Sequence, residues 1–291
     1  MTRSNTPQQL LITWLTRQLP LEAAAWFNAT LDKLAEAPLE RTINLAISVA
    51  TRKLGKAYLE LEEGDRAAAQ AARRGWRPER WSVDQAARVA ILLATANGDI
   101  DAFCKRLDQL LRTADVGELI AFYQGLPLYP EPARHRARAA DGVRTNMRVV
   151  FEAVAHANPY PAEQLADGPW NQMVLKALFI DSSLAPIAGL DERCNEDLAL
   201  MLCDYAEERW SAGRSVSPEL WRCVGAIATE RTLACLNRAL TGHDRRECEG
   251  AALALYTNGS AAALALLADA GDLLQRAENN ELQWDQLAQG E

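Results

Sequence analysis

The stretch DRRECEGAALALYTNGSAAALALLADA, residues 244–270, reads as two helices and the break between them. Asp244–Tyr256 and Ala261–Ala270 are rich in Ala and Leu, both strong helix formers, and Asn258-Gly259-Ser260 separates them. Ser260 suits an N-cap, because its hydroxyl can accept from the backbone N–H groups of the next turn. Gly259 suits the close of the preceding helix, where left-handed backbone costs glycine nothing. Short helices joined by turns of a few residues pack back on one another, which predicts antiparallel helix pairs.

The same grammar extends outward. Pro7–Gln18, Leu21–Leu34, Leu39–Leu54, Val83–Ala96 and Ile100–Leu111 carry apolar residues at three- and four-residue spacing. Pro132–Asp141, Asn146–His156, Pro169–Ile180, Cys194–Ala212 and Pro218–Asn237 continue the pattern. Leu19-Pro20, Ala37-Pro38, Gly64-Asp65, Asn97-Gly98-Asp99 and Leu128-Tyr129-Pro130 supply the turns, and no segment alternates as a strand would. The expected fold is all-α: an irregular stack of antiparallel helix pairs, a HEAT/armadillo-like α-solenoid, with a compact helical bundle as the alternative. One domain is expected over residues 1–282, with 283–291 as a loose tail. The one compositional seam is Ser211–Val216.

The chain has 291 residues, 49% hydrophobic and 24% charged, and a net charge of −8. That balance excludes intrinsic disorder, and the acidic excess argues against nucleic acid as a partner, since phosphate binding needs surplus cations. Six cysteines without a C-x-x-C and only three histidines predict free thiols in a reducing compartment rather than a zinc site. The N-terminal stretch does not read as a secretory signal, and the longest apolar run, Ala261–Ala268, is far below the ~20 residues that span a bilayer. A cytoplasmic protein is expected. Neither a phosphate-binding glycine loop nor a G-x-S-x-G or H-E-x-x-H motif occurs, so no cofactor and no metal are expected.

Three central stretches carry the polar residues worth following. VRTNMRVVFEAVAHANPYP (143–161) contains Arg144 and Asn146, a solvated Arg148–Glu152–His156 strip, and Asn158 and Tyr160 in a turn stiffened by two prolines. WNQMVLKALFI (170–180) is apolar over almost its whole circumference, which predicts burial nearly all round. Within it Trp170 and Asn171 precede Lys176, an amine that must snorkel, pair with a carboxylate or lose its proton. IAGLDERCNEDLALMLCDYAEERW (187–210) supplies Arg193, Asn195, Asp204, Tyr205, Glu208 and Arg209. Asp204 and Glu208 lie one helical turn apart and could meet Lys176 or an arginine across a helix interface. Asp204-x-x-Glu207-Glu208 is similar to the aspartate-rich magnesium motif of helical prenyl-diphosphate enzymes, but it lacks that motif's first acid pair and any second motif. Arg214, Trp221 and Arg222 follow, guanidinium beside indole, a combination suited to anions or to packing. Two basic clusters, Arg73–Arg80 around Trp76 and Trp81, and Arg134–Arg138, are solvated surface by default and leave room for peripheral membrane contact.

Together these three stretches, with the SAGRSVSPELWR that follows, resemble the EboA family. The resemblance implies a context: gene clusters of a small-molecule pathway whose neighbours look like a membrane-embedded prenyltransferase, a sugar-phosphate cyclase and TIM-barrel proteins. It implies secondary-metabolite production or trafficking, with other pathway proteins and a small-molecule intermediate as partners, and no settled reaction. Three readings follow. The chain binds an intermediate or a partner enzyme in a central groove. Or it is a helical enzyme using Lys176 with Asp204 and Glu208. Or the polar residues only fix helix register.

Overall fold

A computed structural model describes residues 6–96 and 98–288 of the chain. Every regular element among them is helical, as the periodicity predicts, and Tyr58 forms an isolated antiparallel bridge with Ser82. Asn97 of the expected Asn97-Gly98-Asp99 turn lies outside the described residues. The chain divides into two compact units, Met1–Leu165 and Ala166–Glu291. The division does not fall at the Ser211–Val216 seam.

The first unit contains α1 (Pro7–Gln18), α2 (Leu21–Glu36), α3 (Glu40–Leu54), α4 (Glu63–Ala72), α5 (Val83–Leu93), α6 (Ile100–Thr113), α7 (Val116–Gln124), α8 (Arg136–Arg144), α9 (Arg148–Ala155) and α10 (Tyr160–Gln164). Helix α1 starts and stops where the sequence says: Thr6 and Gln9 form a reciprocal capping box, and Pro20 follows the end. Helix α5 is the unit's central rod, packed against α1, α2, α3 and α7, and only Gln85 and Leu93 escape burial. Two of its buried residues are charged. The Asp84 carboxylate accepts from Ser82 Oγ, Thr51 Oγ1 and Arg88 Nη1, while Arg88 also donates to the Ile47 carbonyl and to Thr51. Every strong polar group of this cluster has a partner, the condition under which charge survives inside a core.

The second unit contains α11 (Asp167–Phe179), α12 (Glu196–Ser211), α13 (Leu220–Gly225), α14 (Glu230–Leu240), α15 (Arg245–Asn258), α16 (Ala261–Ala268), α17 (Gly271–Glu278) and α18 (Trp284–Ala288). Helix α15 is its hub, packed against α13, α14, α16, α17 and α18. Gly259 closes α15 in the left-handed region (φ 65°) and the Ser260 hydroxyl caps α16, the break read in residues 244–270. The α13–α15 crossing is close because each helix offers a glycine. A Cβ on Gly225 would lie 2.6 Å from the Ala254 Cβ, and one on Gly250 would lie 2.8 Å from the Pro218 carbonyl oxygen.

Three expectations need correction. Pro218–Asn237 is two helices, not one: α13 ends at Gly225, and Thr229 opens α14 through reciprocal bonds with Thr232. Residues after Leu282 do not simply trail off: Leu287 of α18 is buried and its carbonyl accepts from Arg246, while residues 289–291 lie outside the described set. The WNQMVLKALFI rod is not buried all round. Trp170, Asn171, Met173, Val174, Ala177 and Leu178 face inward, but Gln172 is exposed and Phe179 is 77% exposed.

Candidate functional site

Between Phe179 and Glu196 the chain runs without a helix, the longest such stretch in the described residues. Long ordered loops in a helical scaffold are where binding groups concentrate. Buried Leu184, Ile187 and Leu190 hold this one down. The Glu219 carboxylate, itself buried, accepts from the Ala185 backbone N–H at 2.7 Å and from Ser183 Oγ at 2.9 Å. Gly189 takes a left-handed conformation (φ 74°) that turns the loop back before Asp191.

The far end of the loop carries the chemistry. Arg193 lies over the Trp170 indole, 4.9 Å from the ring centroid, and its Nη2 donates to Asp167 at the start of α11 at 2.7 Å. One residue along α11 from Trp170, the buried Asn171 amide exchanges two hydrogen bonds with the Asn195 amide, at 3.0 and 2.9 Å. Asn195 also caps α12 by accepting from the Leu198 N–H. The Arg222 guanidinium, from α13, grips Asp191 with two parallel bonds of 2.6 Å. That fork raises the Arg222 pKa and keeps the group charged. In both ion pairs the arginine is the more buried partner: side chains are 21% exposed for Arg193 against 74% for Asp167, and 22% for Arg222 against 59% for Asp191. Two seated guanidinium groups, each shielded by an exposed and replaceable carboxylate, can hold an incoming anion. Cys194 of the same segment adjoins Cys223 of α13, and the Cys223 thiol hydrogen bond together with nearby Arg222 lowers the Cys194 pKa.

Trp170 with Arg193 and Asn171 with Asn195 are thus brought together, and Arg222 reaches the same loop through Asp191; Asp167 and Asp191, which complete the arrangement, were not singled out. Asp167 had a signal, an acid in the first turn of a helix two residues before Pro169. The other candidates lie elsewhere. In the first unit, Arg144 is exposed and paired with Asp141, Asn146 is exposed, and Asn158 and Tyr160 point inward. The Asn158 amide bonds the Tyr123 and Ala153 carbonyls and the Tyr160 N–H, and the Tyr160 hydroxyl donates to the Pro132 carbonyl. Burial pushes the Tyr160 phenol up to about 12. The Arg148–Glu152 pair forms at 2.8 Å.

In the second unit, Asp204 takes the arginine option left open by its position and pairs with Arg231 of α14. Glu208 and Arg214 are exposed, and Arg209 donates twice to the Ser215 carbonyl. The Tyr205 hydroxyl donates to the Leu178 carbonyl at 3.4 Å, fixing which side of α12 meets α11. Lys176 is partly buried, which lowers its pKa. Trp221 is fully buried and stacks on Trp210. Among the described residues, no group of three or more His, Cys, Asp and Glu is placed to hold a metal ion.

The loop and its flanking helices fall inside a family match. Residues 7–225 match the family described as metabolite traffic protein EboA, a match that covers the first unit from Pro7 onward and the second as far as Gly225. The chain belongs to the EboA family. No curated protein and no solved structure is significantly similar to it. In this EboA chain, α14–α18 lie beyond the matched residues, so the loop site sits within the matched region and the α15 hub outside it. No helix among the described residues is long and apolar enough to cross a membrane.

Proposed function

We propose that this EboA chain handles a small-molecule intermediate of a secondary-metabolite pathway without transforming it, holding an anionic group of that molecule at the loop between α11 and α12. The observation that carries the reading is the seated pair of arginines: Arg193 on Trp170 and Arg222 on α13, each covered by an exposed aspartate. An anion that displaces Asp167 or Asp191 gains a guanidinium already stripped of much of its water and fixed in direction, so little ordering is left to offset. The aspartates then act as placeholders that keep the site closed to weaker anions.

The wider family role, metabolite traffic, supports carriage rather than turnover. Delivery to another pathway protein in the cytoplasm, and HEAT-like stacking of helix pairs such as α15–α16, belong to the same reading. The enzyme alternative draws less support, because the Asp204 carboxylate is engaged by Arg231.

Native mass spectrometry of the protein purified from cells that run the pathway tests this. The wild type is expected to carry one small adduct that is released chemically unchanged, and R193A/R222A is expected to lose it. D167N is expected to hold it several-fold more tightly, since it removes the competing carboxylate. An adduct that persists at full occupancy in R193A/R222A, or that the protein converts to a second mass, overturns the proposal.

A further inference from the structure

At the other end of α12, about 22 Å along the helix from Asn195, a second set of groups meets. Trp210 and Trp221 stack at 5.6 Å with planes 21° apart. The Trp210 indole N–H donates to the buried Glu247 at 2.8 Å, and Glu247 also accepts from the Val216 N–H, so the ring cannot rotate. Arg238 of α14 lies over the outer face of this platform, 4.4 Å from the Trp210 centroid. Trp221, Trp210 and Arg238 therefore form three layers in order.

Trp210 and Arg238 line a groove of roughly 410 Å³ between α12 and α14, with Glu207, Arg231, Ala234 and Cys235 as its other walls. That volume is within the range of small-molecule sites. Arg231 is neutralised by Asp204 and by Glu207, the latter at 3.8 Å. Arg238 is different: it is exposed, its guanidinium lies over the indole, and among the described residues its N–H groups meet no protein acceptor, so they face the solvent of the groove. Ala234, one turn from Arg238 on α14, has a side chain too short to fill the space between the two arginines. A planar cation fixed on an aromatic face with its donors unspent is the arrangement that meets a carboxylate through two parallel bonds. Trp210, Ala234 and Cys235 give the groove apolar wall for a flat body beside that carboxylate.

We infer that the α12–α14 groove is a binding site for a carboxylate carried on a flat apolar body, with Arg238 as the anion fork and Trp210 as the support that holds the fork in place. The site shares no residue with the loop between α11 and α12, and half of it, α14, lies beyond the family match. It therefore stands or falls separately from the proposed handling role.

Isothermal titration of the full chain with naphthoate, with its neutral alcohol and with inorganic phosphate tests the assignment. Naphthoate is expected to bind one site, and both other probes at least about tenfold more weakly, since one lacks the anion and the other the flat body. R238A and R238K are expected to weaken naphthoate by about tenfold, because lysine cannot supply the fork. R214A, which changes an exposed arginine of the same unit, is expected to leave it unchanged. R238A affinity within about twofold of wild type, or phosphate binding as tightly as naphthoate in R193A/R222A, where the loop arginines are gone, overturns the inference.

Discussion

Replacing Arg88 with methionine removes one half of the buried ion pair in α5 while keeping a long apolar stem in its place. Arg88 and Asp84 side chains are 2% and 4% exposed, and their charged atoms lie 2.6 Å apart. Burial alone pushes the Asp84 carboxyl up, but bonds from Ser82, Thr51 and Arg88 more than offset it, so its pKa sits below the ordinary aspartate value. Without Arg88 the carboxylate keeps Ser82 and Thr51 but loses the guanidinium charge beside it. Breaking such a pair costs about 3–5 kcal/mol. At about 2–4 °C per kcal/mol for a unit of this size, the transition that melts α5 falls by on the order of 10 °C.

The pH dependence changes with it. In the wild type a depressed folded pKa adds stability above the unfolded aspartate value, lost as pH falls through the folded one. In R88M burial is no longer offset by the arginine, so the folded pKa rises. The variant's deficit is then largest near neutrality and shrinks as pH drops below that raised value. Differential scanning calorimetry at pH 7 and pH 4.5 measures both effects, since a two-unit chain need not melt in one step. D84N/R88M, which removes both charges, is expected to recover much of the loss. The reasoning fails if R88M melts within about 2 °C of the wild type at pH 7, or if its deficit deepens on acidification.

Glycine substitutions separate packing from propensity. G225A is expected to lose about 1–3 kcal/mol, because its new methyl would lie 2.6 Å from the Ala254 Cβ and 3.0 Å from that residue's backbone oxygen. G64A meets nothing within 4 Å in α4 and is expected to gain about 0.5–1 kcal/mol; urea unfolding distinguishes the two. N195A removes the α12 cap and strands the buried Asn171 amide, for a loss of about 2–3 kcal/mol in the same assay. An N195A variant as stable as the wild type would show that the amide pair is ornamental.

Local rules made much of the fold readable. Thr6 with Gln9, Asp99, Asn195 and Ser260 all cap helices through side-chain bonds that follow from residue type and position alone. The split in 218–237 was not readable, because nothing in Ala226-Ile227-Ala228 forbids a helix. Tertiary contact between Gly225 and Ala254 and the Thr229–Thr232 bonds set that boundary. Periodicity also misjudged α11, where Phe179 is an apolar residue that faces outward. The Asp84–Arg88 pair looks in sequence like an ordinary surface i,i+4 bridge; only the packing of α5 on four neighbours shows it to be interior. At the loop, residue type picked out Arg193, Asn195, Trp170 and Asn171, but pairing partners thirty or so positions apart, such as Asp191 with Arg222, need the fold.

Hydrogen exchange at residues 180–195 tests the central claim most directly. Small-molecule extract from pathway-competent cells, added to the wild type, should slow exchange across this loop and at the start of α12. Extract from cells lacking the pathway should not, and neither extract should affect R193A/R222A. Equal protection by both extracts, or protection that survives in R193A/R222A, would contradict a ligand seated on the two arginines.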